Sequence, residues 1–381
     1  MHDLQFYTPM LAEIVFVLLC LCFAIYLFFC AIAYFRFAFG GRKANTPKNN
    51  LPPASVVICA RNEAAHIKHN LTLVLEQDYP VFEVIVVDDG SWDSTPAVLM
   101  ELQKNYPRLK LLEIKEDSVY AHGKKLALTI GIKSAQYEHL VFIDADCYPA
   151  SKDWLKQMVQ TFDDKTDIVL GYGAYANKKG LLNKLIRMDT LRIGTQYLSL
   201  ALAGMTYMGI GRNLAYRKSF FMKQKGFWPH SQIPSGDDDL FVNKSATRHN
   251  VRIAATESCI TFSEPKETMK EWIRQKRRHI TTSTYYKSSS KFTLGIITFS
   301  QYFFWIAAIT LLFSHRFQFI ALGIIAGYII IQLIILKKAM NRLGERKLFV
   351  YSLWSEWILL FFLYPVIALS NLLFKQAAWK T

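Results

Sequence analysis

Apolar residues are concentrated in four long runs near the two ends of the chain. The first run covers residues 11–35, and the other three cover about 293–314, 317–336 and 348–374. Because roughly 20 consecutive apolar residues span a bilayer as a helix, the pattern predicts one transmembrane helix before the central region and three after it. The first run is too long for the apolar core of a signal peptide and follows no Lys or Arg, which favours an anchor.

Between these runs, short segments rich in Val and Ile alternate with segments of helical periodicity. The predicted strands are 55–60, 82–89, 109–114 and 139–146, and the predicted helices are 64–76, 96–106 and 123–135. Strands separated by helices of this length indicate βαβ units and a mostly parallel sheet. We therefore expect an α/β, Rossmann-like domain over residues 54–282. The remaining parts are expected to be an N-terminal anchor (1–36), a linker (37–53) and a three-helix C-terminal transmembrane region (283–381).

Lys and Arg residues flank the predicted spans unevenly. They follow the first span and separate the third from the fourth: Arg36, Arg42, Lys43, Lys48, Lys337, Lys338, Arg342, Arg346 and Lys347. The N-terminal tail contains none, and the short turn after the second span contains only Arg316. Since short cytoplasmic loops carry an excess of Lys and Arg, we expect both chain ends outside and residues 37–292 in the cytoplasm, in a plasma or inner membrane.

The composition fits this division of the chain. Of the 381 residues, 52% are apolar and 20% are charged, which is typical of a soluble domain joined to membrane helices. The six cysteines show no metal-ligand spacing, so we expect reduced thiols. The basic segments adjoin the spans, so we expect the net charge of +15 to face a membrane surface, with no nucleic-acid partner.

Two predicted strands end in acidic residues. The segment "IVVDDG" finishes with Asp88 and Asp89, and "VFIDAD" finishes with Asp144 and Asp146. Asp forms strands poorly, so each pair alone is equally explained by a turn. In a parallel sheet, however, ligands bind at the carboxyl ends of the strands, and Mg²⁺ or Mn²⁺ favours carboxylates together with phosphate oxygens. The pattern predicts a diphosphate ligand bridged by a metal; without G-x-G-x-x-G after the first strand, a dinucleotide site is disfavoured.

Six motifs occur in the order and at the distances of a known family: "PPASVVICARNEAAHI", "FEVIVVDDGSWDST", "GKKLALTIGI", "FIDADCYP", "GDDDLF" and "WIRQKRRH". The chain resembles family-two glycosyltransferases with a GT-A domain, in the membrane-embedded branch of polysaccharide synthases and lipid glycosyltransferases. The resemblance covers about residues 52–282, together with the number and placement of the spans. It implies an enzyme that transfers a sugar with inversion from a nucleotide sugar, most often a UDP sugar, to a lipid or glycan acceptor.

The resemblance also implies residue roles. Glu63, Asp88 and Asp89 would hold the base and ribose of the donor. Asp144 and Asp146 would form the DxD element, with Asp146 as the direct ligand of Mg²⁺ or Mn²⁺. All the implied donor-binding residues are Glu63, Asp88, Asp89, Lys124, Asp144, Gln275 and Arg278. The implied acceptor-side residues are Gly209, Gly211, Asn213 and His279.

The segment "SGDDDLFVNK" has two explanations. By resemblance, Asp237 aligns with the family's catalytic base, with Gly236 in place of the usual Glu, which leaves room for Asp238 or Asp239 to share the role. A base takes the proton of the acceptor hydroxyl, and adjacent carboxylates raise one another's pKa. Acids also favour a helix N-terminus, so the segment equally fits a capped helix start with Ser235 or Asp237 as the cap.

The basic segment "EWIRQKRRHI" is expected to be an amphipathic interfacial helix. Arg274 and Arg278 are four residues apart and share a helical face, with Gln275 beside them. By resemblance, Gln275 and Arg278 match QxxRW and stabilise the departing diphosphate. His279 replaces the Trp, which argues against processive polymerisation. The alternative for the segment is contact with anionic lipid headgroups.

Residues 181–203 form a predicted helix with few charges. We expect a core helix here, with an acceptor-facing surface near the bilayer as the alternative. Shortly after it, Gly209 and Gly211 also fit a tight strand bend.

The leading hypothesis is a sugar transferase at the cytoplasmic face that acts on a lipid-linked or membrane-delivered acceptor. A processive synthase is the alternative; four spans are few for a pore, which an oligomer or accessory subunit would complete. A transporter is disfavoured because the spans lack matched halves broken by Gly or Pro. A silent scaffold is disfavoured because Asp89, Asp146 and Asp237 are all present.

Overall fold

The computed structural model describes residues 2–40, 51–114, 123–233 and 235–373. Most of the predicted linker 37–53 and the predicted end of the fourth span at residue 374 lie outside them. The strands of the described residues, numbered in chain order, are β1 (Ala54–Ala60), β2 (Phe82–Asp88), β3 (Leu109–Glu113), β4 (His139–Phe142), β5 (Cys147–Pro149), β6 (Ile168–Leu170), β7 (Gly173–Tyr175), β8 (Leu214–Arg217), β9 (Val251–Ile253) and β10 (Thr261–Ser263).

The α-helices connect these strands and continue into the apolar ends of the chain. They are α1 (His2–Phe29), α2 (Phe35–Phe39), α3 (Ala64–Leu75), α4 (Thr95–Asn105), α5 (Lys124–Ser134), α6 (Trp154–Gln160), α7 (Leu181–Leu202), α8 (Lys218–Lys223), α9 (Asp239–Ser245), α10 (Met269–Ser283), α11 (Ser288–Leu312), α12 (Gln318–Arg342), α13 (Ser352–Trp357) and α14 (Tyr364–Leu373). Two π-helical segments, Cys30–Tyr34 and Ile358–Leu363, join α1 to α2 and α13 to α14. Short 3₁₀ turns occur at Gly211–Asn213, Trp228–His230, Glu257–Cys259 and Arg346–Tyr351.

The large sheet has seven strands in the order β3-β2-β1-β4-β8-β6-β9. Neighbouring strands are parallel except at β8, which runs antiparallel to both β4 and β6. The predicted mostly parallel sheet is therefore confirmed. Along β2, Val84 and Val86 pack into one core while Ile85 and Val87 pack into another on the opposite face. Both faces are covered, which explains why these strands read as continuous apolar runs.

Strand β4 is shorter than expected, because it ends at Phe142 and not at Asp146. The backbone N–H of Cys147 donates to the Asp144 carbonyl oxygen at 3.0 Å, which closes a turn directly after the strand. The chain then enters β5, which belongs to a small second sheet with the order β5-β10-β7. Asp144 and Asp146 therefore lie in the turn between the two sheets.

Four helical segments of the described chain are long and apolar enough to cross a membrane: Met10–Phe39, Ser288–Leu312, Gln318–Arg342 and Arg346–Asn371. Their number and positions agree with the predicted spans. The largest difference is α12, which continues past the predicted end at residue 336 to Arg342. Lys338 lies in this extension with its ammonium 5.3 Å from the ring centroid of Phe39, and long basic side chains of this kind extend a helix into the interface.

Helix α7 lies between the two sheets and the apolar helices, and most of its residues are buried. The expected core helix is therefore observed. Its Arg187 and Asp189 are buried and its Arg192 is half-buried, and each lies against a charge of another segment: Glu345, Lys276 and Glu356, respectively. Glu356, an acid within the last apolar run, is 3% exposed and accepts a hydrogen bond from the Tyr328 hydroxyl at 2.8 Å.

Candidate active site

Lys124 joins two acidic motifs that are far apart in the sequence. It is the first residue of α5, and its Nζ lies 2.8 Å from Asp144 Oδ1 and 3.0 Å from Asp237 Oδ2. Burial alone lowers the pKa of Lys124, but the charges of Asp144, Asp237 and Asp238 outweigh it and raise the pKa well above the usual value. Lys124 is therefore a permanent cation between the two motifs.

These groups line one cavity beyond the carboxyl ends of β1 and β4. Its polar wall contains Lys124, Asp144, Asp237 and Asp238, and Tyr216 contributes to its apolar wall. In a doubly wound sheet this edge is where ligands bind. The structure thus brings the DxD turn and the first two acids of "GDDDL" into a single cleft.

Gly211 forms the closest backbone approach to this cleft. Its N–H donates to Asp238 Oδ2 at 2.7 Å. A Cβ at this position would lie 3.2 Å from Lys124 Nζ and 3.4 Å from Asp238 Oδ2. A side chain here would therefore crowd the charged groups, which explains the glycine without requiring a strand bend.

Asp238 is the N-cap of α9, and this corrects the expectation that Ser235 or Asp237 would cap the helix. Its Oδ1 accepts a hydrogen bond from the backbone N–H of Asp239 at 2.7 Å. Burial, followed by the charges of Asp237 and Asp239, raises the pKa of Asp238 to about 7. Both carboxylate oxygens of Asp238 accept hydrogen bonds from backbone N–H groups, which hold this side chain in place. The carboxylate of Asp237 instead contacts the ammonium of Lys124.

Asp239, the third acid of the segment, has internal partners for both carboxylate oxygens. The share in the catalytic role that was expected for it stays a prediction. Its Oδ2 accepts from the hydroxyls of Thr282, at the end of α10, and Tyr286, the latter at 2.8 Å. Its Oδ1 accepts from the Leu240 N–H at 2.7 Å. Because both oxygens are occupied by internal partners and the residue is 8% exposed, Asp239 links α9 to the segment before α11.

The turn after β4 offers a donor set for a divalent cation. One ligand atom each of Asp144, Asp146 and Cys147 lies within 4.8 Å of the others. The Cys147 thiol is buried and is hydrogen bonded to Asp146 Oδ1 at 3.2 Å, so the accessible donors are the two carboxylates. Carboxylate oxygens are the ligands that Mg²⁺ and Mn²⁺ favour, and the residues present fit such an ion.

Glu63 lies at the same side of the sheet, close enough to interact electrostatically with this turn. Burial, and then the charge of Asp146, raises the pKa of Glu63. Its Oε2 lies 3.1 Å from His66 Nδ1. The acidic cluster at the sheet edge therefore extends from Asp144 and Asp146 toward α3.

The Asp88–Asp89 pair is buried, with each residue 5% exposed. Asp88 Oδ1 accepts from the Ser91 N–H at 3.2 Å and from the Ser91 hydroxyl at 2.5 Å, which is the arrangement of a turn. Asp89 lies 4.0 Å from the guanidinium of Arg61. Asp88 thus shapes the loop after β2, as the turn alternative predicted, and Asp89 balances the charge of Arg61.

Comparison with known proteins agrees with this arrangement. The model of the family described as glycosyl transferase family 2 matches residues 55–224. A poly-beta-1,6-N-acetyl-D-glucosamine synthase of Staphylococcus epidermidis is 30% identical over 182 residues, which cover 47% of this chain and 42% of that protein. The central region of the chain, residues 55–224, thus matches glycosyltransferase family 2. A probable glycosyltransferase of Bacillus subtilis, YdaM, is 27% identical over 248 residues, covering 61% of this chain and 57% of that protein.

The chain spans about half the length of the curated relatives that it matches. Among solved structures, the mannosyltransferase PcManGT of Pyrobaculum calidifontis, in complex with GDP-Man and Mn²⁺, aligns over 92% of this chain and 99% of its own with a TM-score of 0.55. Its sequence is 18% identical, so the likeness concerns the fold alone. The predicted GT-A fold is thereby confirmed.

The QKRRH segment lies on α10, whose apolar side is anchored in protein. Trp272 is 1% exposed and packs in one cluster with Ile186 of α7 and with Leu359 and Leu363 of the last span. On the other side of the helix, Arg274 and Arg278 are exposed, and His279, two turns after Trp272, is exposed as well. The predicted amphipathic helix is observed, and its exposed basic face is continuous over one turn.

Two residues that the sequence did not single out connect Gln275 to the cleft. The Tyr175 hydroxyl donates to Gln275 Oε1 at 3.3 Å, and the guanidinium of Arg212 lies 4.5 Å from the Tyr175 ring centroid. Arg212 directly follows Gly211. The only signal in the sequence was an Arg beside a predicted site glycine, which is too weak to identify this contact.

Two predicted acceptor-side residues have structural positions. Asn213 is fully buried, and its side chain bonds Trp154 Nε1 at 3.1 Å and the carbonyls of Tyr172 and Cys259 at 2.8 and 2.6 Å. A Cβ on Gly209 would lie 3.0 Å from a methyl of Val242. Both residues are buried in the core, and their acceptor-side role stays a prediction.

Proposed function

We propose that the chain is an inverting glycosyltransferase that moves a sugar from a nucleotide sugar, in the first instance a UDP sugar, to a lipid-linked or membrane-associated acceptor at the cytoplasmic face. One observation supports this above all others. Lys124 contacts both Asp144 and Asp237, so a metal-binding turn and a candidate base border the same cleft. Opposed groups of this kind are what transfer between a diphosphate donor and a hydroxyl acceptor requires.

Asp237 is the proposed base. Asp239 is occupied by internal hydrogen bonds, and Asp238 accepts from two backbone N–H groups. Asp237 takes the proton of the acceptor hydroxyl as the acceptor oxygen bonds to the anomeric carbon. The bond from that carbon to the diphosphate breaks, and the nucleoside diphosphate leaves with its electron pair. Lys124, next to Asp237, offsets negative charge in the cleft before and after transfer.

The donor side is proposed to consist of the sheet-edge acids and the basic helix. Asp144 and Asp146 would hold Mg²⁺ or Mn²⁺, which supplies charge neutralisation for the diphosphate. The complex of the Pyrobaculum calidifontis mannosyltransferase with GDP-Man and Mn²⁺ supports this class of donor and metal. Gln275, positioned by Tyr175, and the exposed Arg278 are proposed to contact the departing diphosphate from α10.

The membrane is proposed to deliver the acceptor. Helix α10 packs against α7 and the last span through Trp272, so the cleft side of α10 is held close to the bilayer. We retain residues 54–282 as the glycosyltransferase domain between an anchor (1–36) with its linker (37–53) and a membrane region (283–381). The outside location of both chain ends remains a prediction from the basic flanks.

A second candidate is a processive synthase, which the likeness to a poly-beta-1,6-N-acetyl-D-glucosamine synthase favours. The two candidates differ in product size, since a processive enzyme releases long polymers and a single-transfer enzyme adds one sugar. In a processive synthase, an oligomer or an accessory subunit would complete the pore. Gel separation of the radiolabelled product decides between them.

The proposed function is tested with the full chain in membranes, a panel of nucleotide sugars and a lipid extract as acceptor source. We expect transfer with at least one donor in Mg²⁺ or Mn²⁺, and its loss on chelation with EDTA. Asp146→Asn should weaken metal-dependent nucleotide binding, whereas Asp164→Asn, at an exposed acid outside the cleft, should not. Absence of both transfer and donor hydrolysis across the panel would contradict the proposal.

A further inference from the structure

A second cavity, of about 260 Å³, lies where α7, the end of α9 and the start of α11 meet. It shares no lining residue with the cleft that contains Lys124. Cavities that enclose a ligand or a headgroup begin at about this size, whereas a void that holds one water is far smaller. None of the catalytic residues proposed above lines it.

The walls of this cavity are held in place by internal bonds. Asn243 of α9 is fully buried, and its Nδ2 donates to the Tyr207 carbonyl at 2.8 Å and to Ser290 Oγ at 3.1 Å. Its Oδ1 accepts from the Lys287 N–H at 2.8 Å. One side chain therefore joins α9 to the two wall segments that contain Tyr207 and Lys287.

Gly204 provides the room for a cation in the wall. It has a φ of +77°, and a Cβ there would lie 2.5 Å from Cγ of Arg248. Any side chain at residue 204 would thus displace Arg248. The glycine allows the Arg248 side chain to lie along the cavity.

The lining is positively charged and rich in hydroxyl groups. Arg248 and Lys287 supply the charge, Ser289 and Thr293 supply hydroxyls, and no lining residue in the described part of the chain is acidic. The hydroxyl oxygen of Thr206 is buried there without a hydrogen-bond partner among the described residues. Two cations with several hydroxyl donors match the oxygens of a phosphate group.

The cavity also has an apolar end that extends along a membrane span. Lys287 directly precedes α11, and Leu294 lies about two turns into that helix. At 1.5 Å per residue the lining covers about 10 Å of the span axis. Leu200 and Met205 also line the cavity. Because α11 is long and apolar enough to cross a membrane, we expect Lys287 at headgroup level and Leu294 toward the acyl region.

We propose that this cavity binds the phosphate headgroup of an anionic membrane lipid, with Arg248 and Lys287 on the phosphate and the start of an acyl chain against Leu294. A free phosphate would use the same cations, but it would leave the apolar end unfilled. This site is independent of the sugar-transfer reaction proposed above.

The test uses the full chain, purified in a neutral detergent and titrated with phosphatidylglycerol, with bound lipids counted by native mass spectrometry. We expect the double variant Arg248→Ala/Lys287→Ala to bind the first lipid about tenfold or more weakly than the wild type. The control Lys223→Ala/Lys291→Ala removes the same charge at exposed positions outside the cavity and should bind as the wild type does. Equal weakening in both double variants would overturn the proposal, since general attraction to a positive surface would explain it.

A second variant keeps the charges and fills the apolar end. Thr293→Phe should weaken the binding of phosphatidylglycerol. Phosphatidylcholine should bind the wild type and all the variants alike. Inorganic phosphate and glycerol phosphate are tested as soluble competitors of the lipid. Displacement of phosphatidylglycerol by either at equal concentration would show that a soluble anion suffices, and it would overturn the assignment to a lipid.

Discussion

Two groups of partly or fully buried charges differ in how they are balanced. Between α7 and its neighbouring segments, each charge has one opposite partner: Arg187 with Glu345, Asp189 with Lys276, and Arg192 with Glu356. Among the described residues that line the cleft, Lys124 is the one cation, and it faces Asp144, Asp237 and Asp238. The charges of the first group cancel in pairs, and the second group carries excess negative charge.

Exposure differs between one pair of each group, although the Asp237 side chain in the cleft is itself only 9% exposed. The side chains of Arg187 and Glu345 are 8% and 2% exposed, whereas those of Lys124 and Asp144 are 23% and 33% exposed. A buried charge with one opposite partner joins two layers of the structure, while an accessible cluster with excess charge of one sign attracts a cation or a ligand. Charge balance, more than burial, therefore distinguishes the structural group from the candidate active site.

The largest effect is expected from removing the proposed base. Asp237→Asn should lower transfer by about 10²–10⁴-fold, since a positioned base contributes that much, while nucleotide binding is retained. Transfer rates and donor dissociation constants measured on the same preparation check this. The control Asp164→Asn should leave both unchanged; undiminished transfer by Asp237→Asn would assign the base to a neighbour.

The next largest effect is expected on stability, in the group of paired charges beside α7. Arg187→Leu should cost about 3–5 kcal/mol of the free energy of unfolding, because it leaves Glu345 buried without its partner. The double variant Arg187→Leu/Glu345→Leu should recover most of that loss. Denaturant titration in detergent measures both.

A solvent-exposed salt bridge of the same chain provides the control for that experiment. The side chains of Arg346 and Glu257 are 64% and 43% exposed, so Arg346→Leu should cost about 1 kcal/mol or less. Equal losses of stability from Arg187→Leu and Arg346→Leu would show that burial does not increase the contribution of the α7 pair to the free energy of unfolding.

A smaller effect is expected at Asp239, the acid whose oxygens are already occupied. Asp239→Asn weakens its bonds to Thr282 and Tyr286 and should cost about 1–3 kcal/mol of stability. Transfer per folded molecule should fall much less than in Asp237→Asn. A loss of transfer as large as that of Asp237→Asn, with stability unchanged, would instead place Asp239 in the reaction.

The smallest effect concerns pH. The pKa of Asp238 is raised to about 7 in the folded chain from an ordinary value of 3.8, so the folded state binds the extra proton between these values. Stability from this residue is present below the unfolded pKa and is lost as pH rises through the folded pKa. With divalent cations chelated, the melting temperature of the wild type should fall by roughly a few degrees relative to Asp238→Asn between about pH 4 and pH 7.

The same comparison cancels other titrating groups. Burial lowers the pKa of His230 to about 4, which by itself makes stability increase with pH over about 4 to 6.5. His230 is present in both proteins, so its contribution drops out of the difference. A constant difference in melting temperature across the pH range would contradict the raised pKa of Asp238.

Much of the architecture followed from local patterns. Hydropathy predicted four spans because a bilayer requires long apolar helices, and the alternation of strands and helices predicted the parallel part of the sheet. The prediction failed at the end of β4, because apolar alternation through Ile143 and Ala145 does not reveal where the chain turns toward a second sheet.

The candidate site was predictable as a set of motifs but not as a set of contacts. The positions of Asp144 and Asp237 at acidic clusters were visible in the sequence, whereas the ammonium of Lys124 between them was not. The same limit applies to Asn213, whose motif position pointed to an acceptor while its side chain bonds carbonyls of the core.

By itself, the sequence determined which segments are apolar enough for a membrane, which alternate as strands and helices, and which carry acids, since these properties depend on neighbouring residues. Only the tertiary structure decided which acids share a cation, which cap a helix and which are neutralised by a partner. Those outcomes depend on distances of a few ångströms between residues remote in the chain, where burial and opposite charge set the energy of each group.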